Sequence, residues 1–357
     1  MLISCHESFQ FSATLGTMTK QRIVLNMIVK NEAAVIRRCL KSVQDHVTDV
    51  VVLDGGTDET PILIQKFCRE QGLGCLVVRE QAPQPFSFCD ARNRALDLAR
   101  EYLGPDLDNA YLYFLDADDI LHYTPTGRGL ARLTSDSYMV EYRFGQFRYY
   151  KRDLVKASLP WTWQYPYHEV LTLTGQEPTQ DTLPDAWVEY CHDGVRSKDP
   201  TTHVGPAEGL AQYAKENPED TRSAFYAAQE FAAAGQVFKA LDWYKERVKR
   251  GRAGTGFTDE VYISWYQIGL LATQVGEALT AYQMGIQFRP YRLECYWAAA
   301  HLCQTRGWDA LARMYCDAGV KAMADARPKD GLFVDVSARD GLSQMWKALN
   351  DPENSTY

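Results

Sequence analysis

The sequence has little that would mark a nucleic-acid-coating, disulfide-bonded or membrane-spanning protein. Basic charge is short, with 38 Lys and Arg against 46 Asp and Glu and a net charge of −8. That balance does not favour nucleic acid as a partner, although a local basic groove stays open. Paired cysteines are missing too. The nine cysteines stand singly, without a CxxC, which fits reduced thiols in a cytoplasmic protein better than a disulfide framework. No run reaches the roughly 18 apolar residues of a membrane span. The first 21 residues are expected to be a flexible leader, because His6, Glu7 and Gln10 break any signal-like apolar core. A Gly-rich phosphate loop is absent as well, which counts against a nucleotidyltransferase.

What is present is an ordinary globular composition, 46% hydrophobic and 24% charged over 357 residues, enough chain for two cores. In the first third, short β-branched runs alternate with helical spacing. Arg22 to Val29 reads as a buried strand, and Ile36, Cys39, Leu40 and Val43 recur as one face of a helix. Asp49 to Leu53 forms the next strand and ends in Asp54-Gly55-Gly56. A helix from Pro61 to Gln71 follows, stopped by Gly72 and Gly74, then a strand from Cys75 to Val78. Ala91, Ala95, Leu98 and Tyr102 mark another helix, and the strand Tyr111 to Leu115 runs into Asp116-Ala117-Asp118-Asp119.

This alternation implies a mainly parallel sheet, and ligands in such sheets sit beyond the carboxyl ends of the strands. The polar segment after the first strand, Asp54 after the second and the acidic cluster after the fourth would then share one crevice. Residues 138–167 turn aromatic, ending in Trp161, Trp163, Tyr165 and Tyr167, a cluster read as core packing ahead of a stacking platform. From about Asp220 the pattern is amphipathic helix. Ala240, Ala278 and Ala310 recur in KALDWY, EALTAY and DALARMY. Their spacings, 278 − 240 = 38 and 310 − 278 = 32, bracket the tetratricopeptide period of about 34. The basic run Lys245 to Arg250 reads as a solvated helix end.

Asp116-Ala117-Asp118 at the end of an apolar strand could hold Mg²⁺ or Mn²⁺, hard cations that take oxygen ligands; a lone Asp-x-Asp is otherwise a solvated turn. Four blocks in order, LNMIVKNEAAVIRRCLKSV, VVLDGGTDET, FSFCDARNRALDLA and YFLDADD, resemble the GT-A glycosyltransferases of family 2. They are most similar to the branch carrying tetratricopeptide-like helices behind the catalytic domain. The resemblance covers residues 22–200 well and the repeats loosely. It implies a Rossmann-like GT-A domain over 22–205 and an all-α repeat domain over 206–357. It also implies a metal-dependent, inverting transfer from a nucleotide-sugar donor, expected to be a UDP-sugar, to an unidentified acceptor (peptide, glycan, lipid or modified nucleobase). The repeats would hold that acceptor, a protein partner or a second copy.

Residue by residue, the resemblance implies that Val29, Asn31 and Glu32 line the nucleotide pocket. Asp54 would accept from base or ribose, and Asp90 would support the pocket. Arg92 would face the diphosphate, where a guanidinium fork suits phosphate oxygens. Asp116 would meet the ribose or metal-bound water, with Asp118 the direct metal ligand and His192 completing the shell. Glu169 is the expected catalytic base, with His168 beside it. The second block lacks the family's Ser and is one residue shorter, so its turn should be tighter. The rival reading is a non-catalytic scaffold built on a degenerate transferase domain.

Overall fold

A computed structural model describes residues 21–81, 87–124, 133–165, 168–191, 193, 200–251, 258–324, 334–335 and 337–350. The expected leader, apart from Gln21, therefore lies outside the described residues. The N-terminal half is a sheet in the order β3-β2-β1-β4-β7-β6-β10-β5. Strands β1 (Arg22–Val29), β2 (Asp49–Asp54), β3 (Gly74–Arg79) and β4 (Ala110–Phe114) run parallel. Both faces are covered, which is why these strands read as continuous apolar runs. Leu25 and Met27 face the core under α1 (Ile36–Val43) and α2 (Thr60–Gln71), while Val24 faces the core under α3 (Phe88–Leu103). Helix α2 carries Pro61 in its first turn and closes at Gly72, φ 69°, whose N–H reaches the Cys68 carbonyl. Helix α3 is capped by Ser87, whose Oγ accepts from the Asp90 N–H.

The parallel half was legible as expected. The aromatic stretch supplies two strands of a mixed extension made of β5 (Ile120–Tyr123), β6 (Ser137–Phe144), β7 (Phe147–Lys156) and β10 (Gln180–Glu189); β7 is antiparallel to both β4 and β6, and β10 is parallel to β6 and antiparallel to β5. A separate ribbon of β8 (Trp161–Gln164) and β9 (Val170–Leu173) lies against α3.

The C-terminal half stacks α4 (Val204–Glu216), α5 (Thr221–Ala233), α6 (Val237–Arg250), α7 (Thr258–Leu271), α8 (Val275–Phe288), α9 (Glu294–Thr305), α10 (Asp309–Ala322) and α11 (Ser337–Asn350). These are tetratricopeptide-like hairpins around one core. Ala240 and Ala278 are buried at equivalent places in α6 and α8, but the third equivalent is Ala312, fully buried, and not the exposed Ala310. The spacing 312 − 278 = 34 is then the repeat period itself. A short strand, β11 (Val334–Asp335), leaves this half to pair with Arg148 and Phe147 of β7.

The basic run is a solvated face only at Lys245 and Lys249, which are exposed; its arginines turn inward. Arg247 is 1% exposed and ion-paired to Glu260, and Arg250 donates to the carbonyls of Ala214, Asn217 and Asp220. Among the described residues, no helix is long and apolar enough to cross a membrane.

Candidate active site

The parallel register sets Val29, Asp54 and Arg79 in one row at the carboxyl ends of β1, β2 and β3. Asn31 follows β1 at φ 59°, a left-handed conformation that Asn tolerates better than most residues. Its Oδ1 accepts the backbone N–H groups of Thr57 (2.8 Å) and Asp58 (3.2 Å). This bond needs close approach. A Cβ on Gly56 would lie 2.6 Å from the Asn31 backbone nitrogen and 2.7 Å from its Oδ1, so the shortened block is closed by a residue without a side chain. Glu32 anchors the same corner through its N–H to Thr60 Oγ1 (2.9 Å), while its carbonyl accepts from Val35 and Ile36 at the start of α1.

Asp54 lies deeper than its expected role requires. It is fully buried, with Oδ1 accepting the Gly56 N–H at 2.9 Å and Oδ2 accepting Arg79 Nε at 2.6 Å. One carboxylate oxygen is bonded within the turn and the other to the neighbouring strand β3, and the group that reaches solvent from this row is Arg79, 46% exposed. Asp90 is exposed in the first turn of α3, where a carboxylate complements the helix dipole.

Two residues further along α3, Arg92 joins the two acidic segments. Its Nη2 donates to Asp116 Oδ1 at 2.9 Å, and its Nε stands 3.6 Å from Glu169 Oε2. The guanidinium is largely buried over the Trp163 ring. Burial opposes its charge, and Asp116 with Glu169 overcome that opposition, holding it above its usual range. Trp161 and Trp163 are core residues, 0% and 4% exposed, and Asn93 locks Trp163 through its backbone N–H and carbonyl. Tyr165 is half-buried, and Tyr167 lies outside the described residues.

The acidic turn after β4 is pinned from α1. Arg38 donates to the Asp118 carbonyl (2.7 Å) and grips both Asp193 oxygens at 2.7 and 2.6 Å. His192 lies outside the described residues. Asp119 is buried beneath the turn. Burial, then repulsion from Asp116 and Asp118, pushes its carboxyl far above the usual carboxylate range. Lys151 on β7 faces the same acids, 3.4 Å from the buried Asp153. Burial disfavours its ammonium, but Asp153 and Asp116 more than offset this and keep it charged.

Residues 25–188 match the model of glycosyl transferase family 2. That segment is a family 2 glycosyl transferase domain. Over 336 residues the chain is 28% identical to a TPR repeat-containing protein of Synechococcus elongatus, covering 87% of this chain and 77% of that one. Two crystal structures of MamA are also similar. One has 13% identity and a TM-score of 0.31, covering 43% of this chain and 92% of its own; the other has 14% and 0.30, covering 43% and 86%.

Within the transferase domain the structure thus gathers Asp116 and Glu169 about Arg92, with Asp118 two residues along the chain from Asp116. Val29, Asn31 and Glu32 edge the neighbouring turn. Lys151, Arg38 and Arg79 were missed from sequence. For Lys151 the available signal was Lys-x-Asp, which period-2 alternation in a strand aims at one face. His168 is engaged by the helical half: its Nε2 pairs with Glu230 on α5 at 2.7 Å.

Proposed function

We propose that the protein is a metal-dependent, inverting glycosyltransferase that takes a sugar from a nucleotide diphosphate, with uridine as the base. The observation carrying this reading is the Asp116–Arg92–Glu169 cluster. It sets a fixed cation between the acidic turn and a carboxylate, at the end of a parallel sheet where ligands enter.

In this reading Arg92 and Lys151 face the diphosphate, Asn31 and Glu32 shape the nucleotide turn, and Asp90 supports it from the α3 terminus. Asp54 contributes by holding Arg79 and the Gly56 amide. Glu169 acts as base. The acceptor's nucleophilic atom bonds to the anomeric carbon while the bond from that carbon to the diphosphate oxygen breaks. The acceptor's proton passes to Glu169, and the diphosphate departs with the electron pair. Charge separation in an oxocarbenium-like state explains why both a base and a cationic wall are needed.

The donor set fits a hard divalent cation, Mn²⁺ or Mg²⁺, since Asp116 and Asp118 offer carboxylate oxygens and Asp116 is 39% exposed. Such an ion would be held by Asp118 and Asp116, with His192 as the further ligand, and would supply charge neutralisation for the leaving group. The free thiols among the described cysteines agree with a cytoplasmic setting. The helical stack suits an extended acceptor, a protein partner or a second copy.

Calorimetric titration of UDP with and without Mn²⁺, beside Asp118→Ala, tests the proposal. Metal-dependent binding that the variant loses supports it. If UDP binds neither with the metal nor without it, the uridine donor is wrong; if GDP and dTDP also fail to bind, the scaffold reading takes its place.

A further inference from the structure

The loop that delivers Glu169 is not held by the transferase domain alone. His168, the residue before it, has φ 53°, and Tyr165 has φ 72°. Neither is glycine, and such backbone persists only where surrounding contacts over-determine it. For His168 those contacts come from the helical half. Glu230 Oε1 binds His168 Nε2 and Glu230 Oε2 binds His203 Nδ1, each at 2.7 Å. The His168 ring stacks on Tyr226 with centroids 3.9 Å apart. Arg222, one turn earlier on α5, donates Nη2 to the His168 carbonyl at 3.1 Å and lies over the Tyr226 and Tyr165 rings.

The far end of this grip is equally fixed. Arg222 and Arg247 share the two oxygens of Glu260, fully buried on α7, at 3.0 and 3.2 Å. Helices α5, α6 and α7 are therefore clamped to one another at the point where α5 holds the loop. Burial alone would push the Glu230 carboxyl up, but the bonds to His168 and His203 outweigh it and hold the group below the usual glutamate range. Both oxygens are committed, so Glu230 is an anchor rather than a proton carrier.

We infer that Glu230, on the helical module, is a positioning residue for Glu169, fixing its backbone through His168 so that the transferase site is complete only with the first repeat docked. The inference rests on Glu169 being the base. It adds that the repeats form part of the active centre and are not only a platform for acceptors or partners.

The full chain tests it in two ways. Hydrogen exchange needs no substrate: Glu230→Ala should raise exchange in the peptide spanning 168–171 about tenfold or more while the α3 and β4 peptides stay protected, and Glu230→Gln, which keeps shape and an acceptor, should stay close to wild type. The second readout is Mn²⁺-dependent hydrolysis of UDP-glucose. Misplacing a catalytic group by about 1 Å costs on the order of 100-fold, so Glu230→Ala should lower kcat by about that factor with KM within about twofold. In a Glu169→Gln background the same change should do almost nothing, because the positioned group is gone.

Unchanged exchange at 168–171 overturns the inference. So does an Ala variant whose kcat loss is as large in the Glu169→Gln background, since that marks general disruption. A wild type that neither hydrolyses UDP-glucose nor binds UDP sinks the uridine donor, and the exchange comparison still decides the anchor.

Discussion

Replacing Gly56 by alanine should damage the turn that follows β2, whereas the same change at its neighbour Gly55 should not. At Gly56 a Cβ meets the Asn31 backbone nitrogen at 2.6 Å, Asn31 Oδ1 at 2.7 Å and Asp54 Oδ1 at 3.0 Å. A backbone atom cannot swing away as a flexible side chain can. The turn must open, and with it the bonds from the Gly56, Thr57 and Asp58 N–H groups to Asp54 and Asn31. At a net value of about 1 kcal/mol each, losing three such bonds costs about 3 kcal/mol. At Gly55 the nearest atom is the Glu80 carbonyl oxygen, 3.9 Å away, an ordinary contact, so the expected change stays below about 1 kcal/mol. Urea unfolding of both variants measures the difference. UDP calorimetry then shows whether the strain also reaches the ligand, where about 3 kcal/mol would appear as a loss of roughly 100-fold in affinity. Equal stability of the two variants would refute the reasoning, because the argument depends wholly on what each added methyl meets.

Two further expectations concern the frame around the site. Glu260→Leu takes the shared carboxylate from Arg222 and Arg247, which are 7% and 1% exposed, and should cost about 3–5 kcal/mol in urea unfolding; a loss under about 1 kcal/mol would mean that the guanidiniums find other partners. Asp49, buried under a two-point ion pair with Arg22 and a bond from Tyr102, is held below the usual carboxylate range, because those bonds overcome the burial that opposes its charge. A depressed carboxylate contributes stability above its unfolded value, near about 3.9, and loses it as pH falls through the folded value. Asp49→Asn should therefore be less stable than wild type at pH 7, with the gap closing on acidification; a gap independent of pH would sink the linkage argument.

The parallel half of the fold was readable because its signals are local: β-branched runs, Pro61 and Gly72 at helix ends, and the 3.6-residue recurrence of Ile36, Cys39, Leu40 and Val43. The mixed half was not. In β6 and β7 aromatics mingle with charged residues whose partners lie on other strands: Lys151 over Tyr142 of β6, Arg143 over Trp187 of β10. Propensity cannot name those partners. The third repeat was misplaced by two residues for a related reason. Ala310 and Ala312 sit in the same local text, and only packing decides which one is buried. Candidate site residues followed the same division. Arg92 and Asp116 were legible from their blocks. The inward position of Asp54 depends on Arg79, which lies 25 residues away and was not read as a partner.

His168 bears most on how the halves are divided. Beside a candidate base, a histidine invites a chemical role, yet its ring is spent on Glu230 and Tyr226 of the second half. The second half also returns β11 to the edge of β7, the strand carrying Lys151. Residues 25–188 alone would thus retain Arg92, Asp116 and Glu169 but lose Glu230, Arg222 and the β11 pairing. If loop position governs turnover, the catalytic unit is the two halves together. A ligand that bends the stack near α5 would then act on Glu169 through one residue, His168, without touching the turn after β2. Coupling of that kind requires differential binding to two arrangements of α5, and the Glu260 clamp, by holding α5 to α6 and α7, sets how stiffly the two are linked.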